Sequence, residues 1–103
     1  MKEKTNSELL DLDVEVPESV VVRSFAEQTV ALNVRSGAYH GLNPVAALML
    51  ERLQECDRAG DAVPGLAAEF SQPEELIRTD LANLLRGLLE RGLVEARTVD
   101  PTG

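Results

Sequence analysis

The side chains that most often carry chemistry in proteins are sparse in this sequence. There is one cysteine, Cys56, and one histidine, His40. Cys56 stands between Glu55 and Asp57, and neighbouring carboxylates raise a thiol pKa, which disfavours the reactive thiolate. His40 has no second histidine with which to hold a metal ion. We interpret both residues as having no catalytic or metal-binding role, so the sequence predicts no catalytic residue and no metal site.

Two other features that could suggest an enzyme have simpler explanations. Glu74, Glu75 and Asp80 lie near the start of a predicted helix, where the helix dipole favours acidic side chains. The glycines are scattered along the chain and form no phosphate-binding loop. We therefore expect a protein that is not an enzyme and that needs no cofactor.

Composition narrows the classes of partner. The chain has 103 residues, 44% of them hydrophobic, and a net charge of −8. Such an acidic protein is a poor match for nucleic acid or for anionic membranes, because both are bound largely through Lys and Arg. No apolar run is long enough to cross a membrane. A single cysteine fits a reducing compartment, so we expect one cytoplasmic domain.

The first half of the sequence has the pattern of strands. Residues 1–19 are expected to form a flexible or partly extended arm, in which Val14 and Val16 alternate with acids as in a short edge strand. Gly37 ends a short polar connection that is typical of a hairpin. Three strands are predicted to form an antiparallel meander: Val20–Phe25, Thr29–Val34 and Ala38–Leu42.

The second half has the pattern of helices. Asn43 is a good N-cap and Pro44 suits the first helical position. A capping box is predicted from Ser71 and Glu74. Three helices are predicted: one from Pro44 to about Asp57, one over Val63–Phe70 and one over Pro73–Arg91. The fold class is therefore α+β, a three-stranded antiparallel sheet followed by three helices, with one folded domain over residues 20–96 and a disordered tail over 97–103.

Three helices of these lengths resemble a winged helix-turn-helix, which leaves a DNA-binding regulator as one alternative. The third helix, however, carries more exposed acids than a recognition helix should. The strand Ala38–Leu42 offers another possibility, because it lies at the edge of the predicted sheet and has no Lys or Pro to protect it. Such an edge can accept an extended peptide as an added strand.

The junction Gly37-Ala-Tyr-His-Gly-Leu-Asn43 and the helix pattern Asp80, Leu84-Leu85, Leu88, Gly92-Leu93 resemble the PqqD-like family. These are the RiPP recognition elements, which serve ribosomally synthesised and post-translationally modified peptides. The resemblance implies that a precursor leader peptide adds to the third strand, in a cleft against the third helix. It implies the following peptide-binding residues: Ala38, Tyr39, His40, Gly41, Leu42, Leu76, Asp80, Asn83 and Gly87.

The resemblance also indicates partners and a pathway. The Pro-Glu segment typical of pyrroloquinoline quinone synthesis is not evident, which favours another peptide product. The chain looks like the stand-alone recognition protein of lasso-peptide biosynthesis, which hands its precursor to a separate leader peptidase and cyclase. A partner of a radical enzyme in another peptide-modification pathway remains an alternative, and the choice between monomer and dimer stays open.

Overall fold

The computed structural model describes residues 5–26 and 28–96. This part of the chain forms five strands and four α-helices. In sequence order they are α1 (Asn6–Leu10), β1 (Val14–Glu15), β2 (Val20–Phe25), β3 (Gln28–Asn33), β4 (Tyr39–Leu42), α2 (Pro44–Glu55), α3 (Val63–Phe70), α4 (Glu74–Glu90) and β5 (Glu95–Ala96), with a 3₁₀ turn at Ala59–Ala62 before α3.

The strands β2, β3 and β4 form the predicted antiparallel sheet, in the order β2-β3-β4. Leu32 pairs with Val21 of β2 on one side and with Tyr39 of β4 on the other. Paired residues of neighbouring strands lie on the same face of the sheet, and successive side chains along each strand alternate between its two faces. The inner face packs on α2 and buries Ala31 and Leu42, whereas the outer face carries Leu32 and Tyr39.

The helices supply most of the core. The Asn43 side chain accepts a hydrogen bond from the Ala46 N–H at 2.8 Å, so α2 begins with the predicted cap. One face of α4 is fully buried, through Leu81, Leu85 and Leu88, as its apolar spacing predicts. None of the helices in residues 5–26 and 28–96 is long and apolar enough to cross a membrane.

The described part of the expected N-terminal arm, residues 5–19, packs against the rest of the domain. Thr5 and Glu8 form a reciprocal capping box that starts α1, and Leu9 and Leu10 are each 3% exposed. Strand β1 pairs with β5 in a second, two-stranded sheet. The short strand expected around Val14 is thus present, while the helix before it was not predicted. Residues 1–4 and the expected tail over 97–103 lie outside the described residues.

The predicted capping box at the start of α4 is wrong. Ser71 instead closes α3 in a left-handed conformation, with φ of 54°. Pro73 is the N-cap residue of α4, and no side chain caps that helix. The physical reason is that the chain turns sharply after Phe70, which places Ser71 in the turn and too far back to cap α4.

Candidate functional site

The open edge of β4 is defined by the hairpin that precedes it. Gly37 adopts a φ of 79°, a left-handed conformation that favours glycine. Its N–H donates to the Asn33 carbonyl at 2.8 Å, and the Asn33 N–H donates to the Ala38 carbonyl at 2.8 Å. Gly37 and Ala38 thus both face Asn33, which is a glycine bulge that fixes the phase of the β3–β4 ladder.

That phase decides which main-chain groups are free. Hydrogen-bonded and non-hydrogen-bonded pairs alternate along an antiparallel ladder. Because Ala38 bonds to Asn33, the next bonded pair is His40 with Ala31, and the last is Leu42 with Thr29. The N–H and C=O groups of Tyr39 and Gly41 consequently point away from β3, toward the open edge.

A cleft opens where β4 passes into α2. Its volume is about 250 Å³, and it separates the first turns of α2 from the middle of α4. The lining residues are Asn43, Val45, Ala46 and Met49 from the α2 side and Asp80, Asn83 and Leu84 from α4. The cleft therefore has an apolar floor with a carboxylate and two amides around it.

The expected site residues fall at four places in the structure. Asp80 and Asn83 line the cleft, and Ala38–Leu42 form the edge strand and the residue before it. Leu76 lies one turn before Asp80 and is 45% exposed. Gly87 lies farther along α4, where the Arg91 guanidinium donates to its carbonyl at 3.3 Å, and it is not among the residues that line the cleft.

Several residues that line the cleft were not predicted from the sequence. Val45 has helical spacing with Met49 and looks like a core residue, yet it is 44% exposed beside the cleft. Ala46 and Leu84 also line the cleft. A usable signal was the position of Val45: it sits in the first turn of a helix that directly follows an edge strand, where packing is least complete.

One side chain links the β3–β4 turn to the end of α4. Asn33 Nδ2 donates to the Gly92 carbonyl at 3.0 Å, while its Oδ1 accepts from the N–H groups of Arg35 and Ser36. Gly92 itself has a φ of 69° and ends α4, with the Leu93 N–H donating to the Leu88 carbonyl at 2.9 Å. The Asn33 amide therefore ties the β3–β4 turn to the end of α4.

The two reactive side chains lie apart from each other. His40 lies on the inner sheet face, in the row with Ala31, and is half-buried. Cys56 follows α2, where burial raises the pKa of its thiol and the carboxylates of Asp61 and Glu55 raise it further. Within residues 5–26 and 28–96, no group of three or more His, Cys, Asp or Glu side chains is arranged to hold a metal ion.

The family of the chain follows from its match to a family model. The model of coenzyme PQQ synthesis protein D (PqqD) matches residues 28–94, which is most of the chain and runs from the start of β3 to just before β5. The chain belongs to the PqqD family. The predicted resemblance is thus confirmed. The PqqD match contains β4, α2 and α4, the elements that form the open edge and the cleft, and leaves out β2.

Two solved structures are similar to this PqqD-family chain over most of its length. A lasso peptide synthetase B1 complexed with the leader peptide is 28% identical with a TM-score of 0.72, and the match covers 81% of this chain and 98% of that one. TbiB1 in complex with the TbiA(beta) leader peptide is 27% identical with a TM-score of 0.71, covering 82% and 99%. A comparison with curated protein sequences gives no match.

Proposed function

We propose that this protein binds the leader segment of a ribosomally made precursor peptide and delivers the precursor to a separate processing enzyme. The leader adds to β4 as a fourth strand. The open main-chain edge at Tyr39 and Gly41, next to a cleft against α4, is the observation that carries the proposal. The two similar structures both hold leader peptides, which supports the proposal, and the one that is a lasso peptide synthetase favours lasso-peptide biosynthesis.

The edge of β4 is a better acceptor than the opposite edge of the sheet. Val22 and Ser24 of β2 also direct main-chain groups outward, because the Val34 N–H bonds to the Ser19 carbonyl and sets the same alternation. The cleft, however, begins at Asn43, the residue after β4. The family match also starts at β3 and omits β2. A cavity of about 230 Å³ also adjoins β2, with Val22 and Ser24 in its lining, so the family match is the observation that favours β4.

Main-chain bonds supply affinity and the cleft supplies selectivity. Tyr39 and Gly41 together offer two N–H and two C=O groups, and each net hydrogen bond is worth about 0.5–1.5 kcal/mol. An aliphatic leader side chain buried against Val45, Met49 and Leu84 adds about 1.5–3 kcal/mol. Asp80 is the only charged residue among the described lining residues, so the leader residue facing it is neutral or basic.

This role needs no catalytic group of the protein's own. The processing enzyme, a leader peptidase with a cyclase in the lasso pathway, performs the chemistry on the delivered precursor. The proposal places the protein in the cytoplasm, where the precursor is synthesised. Neighbouring genes test the pathway: a short precursor with a transglutaminase-like peptidase and an asparagine-synthetase-like cyclase identifies lasso biosynthesis, whereas a radical enzyme gene supports the alternative.

Filling the cleft tests the site. Asn83→Phe places a ring in the cleft without emptying the core, since Asn83 is exposed on α4. Thr79→Phe is the matched control, because Thr79 is also an exposed polar residue of α4 but lies beside Asn6 and Ser7 of α1. Affinity is measured by fluorescence anisotropy of the labelled leader of the precursor encoded near this gene.

We expect Asn83→Phe to weaken leader binding at least tenfold, which is about 1.4 kcal/mol. Thr79→Phe should leave the affinity within about twofold of the original chain, and both variants should melt near the temperature of the original chain. Equal leader affinity of the two variants would show that the leader does not use this cleft.

A further inference from the structure

Strand β2 forms the second edge of the three-stranded sheet, and no described residue pairs with its outer side. The Val34 N–H bonds to the Ser19 carbonyl at 2.8 Å, and from this pair bonded and non-bonded pairs alternate along β2. The N–H and C=O groups of Val22 and Ser24 therefore point away from β3. Strand β2 contains neither Lys nor Pro, which are the residues that often keep an edge from pairing with another chain.

The side chains along this edge are mostly apolar and only partly covered by the described residues. On the inner face, Val22 is 41% exposed and lines a cavity of about 230 Å³ together with Leu50 of α2. On the outer face, Phe25 is 64% exposed. The segment from Ser19 to Ala26 contains no acidic residue, although the whole chain carries a net charge of −8. A strand edge with these properties is suited to pairing with another strand.

A second copy of β2 fits this edge in one antiparallel register. Across a two-fold axis, residues with outward main-chain groups must face each other. Two registers achieve this near the centre of the strand: Val22 faces either Val22 or Ser24 of the second copy. The register with Ser24 sets Arg23 directly opposite Arg23, and like charges in that position destabilise a sheet. The register with Val22 sets Arg23 opposite Val21 and avoids this repulsion.

This register satisfies main-chain groups and covers apolar side chains. The two Val22 residues exchange both of their main-chain hydrogen bonds. Each Ser24 N–H meets the Val20 carbonyl of the other copy, while the Val20 N–H is already bonded within the preceding turn. The two Val22 side chains meet beside the two cavities, and Phe25 lies diagonally across from Val21, within reach of an aromatic ring. Pairing therefore buries apolar surface on both faces of the sheet.

We propose that this protein forms a reversible two-fold dimer through antiparallel pairing of β2 with β2 of a second copy. The inference does not depend on the proposed function. The dimer joins the two sheets into one continuous sheet, and because β4 is the other edge of each sheet, both β4 strands lie at its outer ends. Each copy therefore keeps its leader edge and its cleft free, and the dimer presents two leader sites.

The charge of the chain limits the strength of this dimer. Two copies that each carry a net charge of −8 repel one another, and the carboxylate of Glu51, which lines the same cavity as Val22, adds to the repulsion. Salt screens such repulsion, over about 8 Å at physiological ionic strength. A contact along one strand of six residues is also narrow beside a standard stable interface of about 1,600 Å². The dimer is therefore weak and tightens as the salt concentration rises.

Sedimentation equilibrium of the full chain, from micromolar to near-millimolar concentration, measures dimerisation with and without saturating leader. Val22→Pro removes the outward N–H at the two-fold axis and no bond to β3. Val22→Lys keeps that N–H and sets two ammonium groups opposite each other. Val34→Lys is the matched control, because it makes the same change in charge at a valine that is 60% exposed and lies outside β2. Thermal melts confirm that each variant is folded.

We expect the original chain to dimerise and saturating leader to leave the dimer Kd within about twofold. Val22→Pro and Val22→Lys should each weaken dimerisation at least about tenfold, whereas Val34→Lys should dimerise as the original chain does. An equimolar mixture of Val22→Lys and Val22→Glu should restore a dimer, because position 22 faces itself in this register. Raising the salt concentration should tighten the original dimer.

Other outcomes overturn the inference. An original chain that stays monomeric at near-millimolar concentration in high salt would refute the dimer. A dimer that survives in both Val22 variants would place the contact elsewhere on the molecule. Dissociation of the dimer by the leader would show that β2 accepts the leader, which contradicts this inference and the assignment of the leader to β4. A dimer with the expected behaviour in a chain that binds no leader would support this inference and refute the proposed function.

Discussion

Replacing Gly41 with proline tests the ladder phase on which the leader site depends. The Gly41 N–H points to the open edge, so proline removes a donor to the leader and places its ring where the leader would lie. No bond between β3 and β4 is lost, because Gly41 is in a non-hydrogen-bonded pair with Val30. Gly41→Ala is the control that keeps the N–H.

The expected magnitude follows from one lost bond. A net hydrogen bond contributes about 0.5–1.5 kcal/mol, and a leader carbonyl left buried without a partner costs about 1–3 kcal/mol. We therefore expect Gly41→Pro to raise the leader Kd about tenfold or more. Gly41→Ala should stay within about twofold, since an added Cβ at this position meets no atom within 4 Å.

Anisotropy of the labelled leader, with a thermal melt of each variant, measures both quantities. Proline fixes φ at about −65°, which differs from the usual strand value and makes the melt necessary. His40→Pro gives the contrasting case: it removes a donor to β3, so the melting temperature should fall. Equal leader affinity of folded Gly41→Pro and Gly41→Ala would refute the assignment of Gly41 to the open edge.

Three further predictions concern stability, reactivity and the alternative ligand. Asn33→Ala removes the bonds to Gly92, Arg35 and Ser36, so urea denaturation should show a loss of about 1–3 kcal/mol. Asn33→Asp keeps the acceptor for Arg35 and Ser36 but sets an oxygen against the Gly92 carbonyl, so it should also be less stable than the original chain. The pKa of the Cys56 thiol is raised in the folded protein, so iodoacetamide should alkylate the native chain more slowly than the urea-unfolded chain near pH 8.5. The folded state holds the thiol proton more tightly than the unfolded state. The protonated thiol therefore contributes to folding stability at lower pH, and this contribution is lost as pH rises through the folded-state pKa. Alkylation rates of the native and unfolded chains that are equal at every pH would contradict the raised pKa. Mixed-sequence duplex DNA should not bind at micromolar concentration in low salt, and leader affinity should vary little with salt; a tight DNA complex weakened steeply by salt would favour the regulator alternative.

The local elements were largely predictable because their signals are local. Helix α3 occupies Val63–Phe70, as its composition indicates. The left-handed Gly37 and the Asn43 cap are also where the sequence places them. In each case a turn or cap depends on one residue type with a specific backbone or hydrogen-bonding property.

The parts that were not predictable depend on contacts between distant residues. Helix α1 has five residues, too few for a helical period to appear, and it is stabilised by burying Leu9 and Leu10 in the core. Strands β1 and β5 have two residues each and pair across the length of the domain. The cleft likewise requires α2 and α4 to meet, which no local pattern in either helix specifies.

Which main-chain groups of β4 face the open edge was also not predictable from the sequence. The sequence identifies Ala38–Leu42 as an edge strand, but a strand pattern does not say whether Tyr39 or His40 directs its N–H outward. The bulge at Gly37 and Ala38 opposite Asn33 decides this. A shift of one residue would exchange the two sets of main-chain groups.

Amide hydrogen exchange, followed by NMR with and without the leader, tests leader addition to β4 most directly. The N–H groups of Tyr39 and Gly41 should exchange more slowly once the leader is bound, while those of His40 and Leu42, already bonded to β3, should change little. Unchanged exchange at Tyr39 and Gly41 in a saturated complex, or new protection at Val22 of β2 instead, would contradict strand addition at this edge.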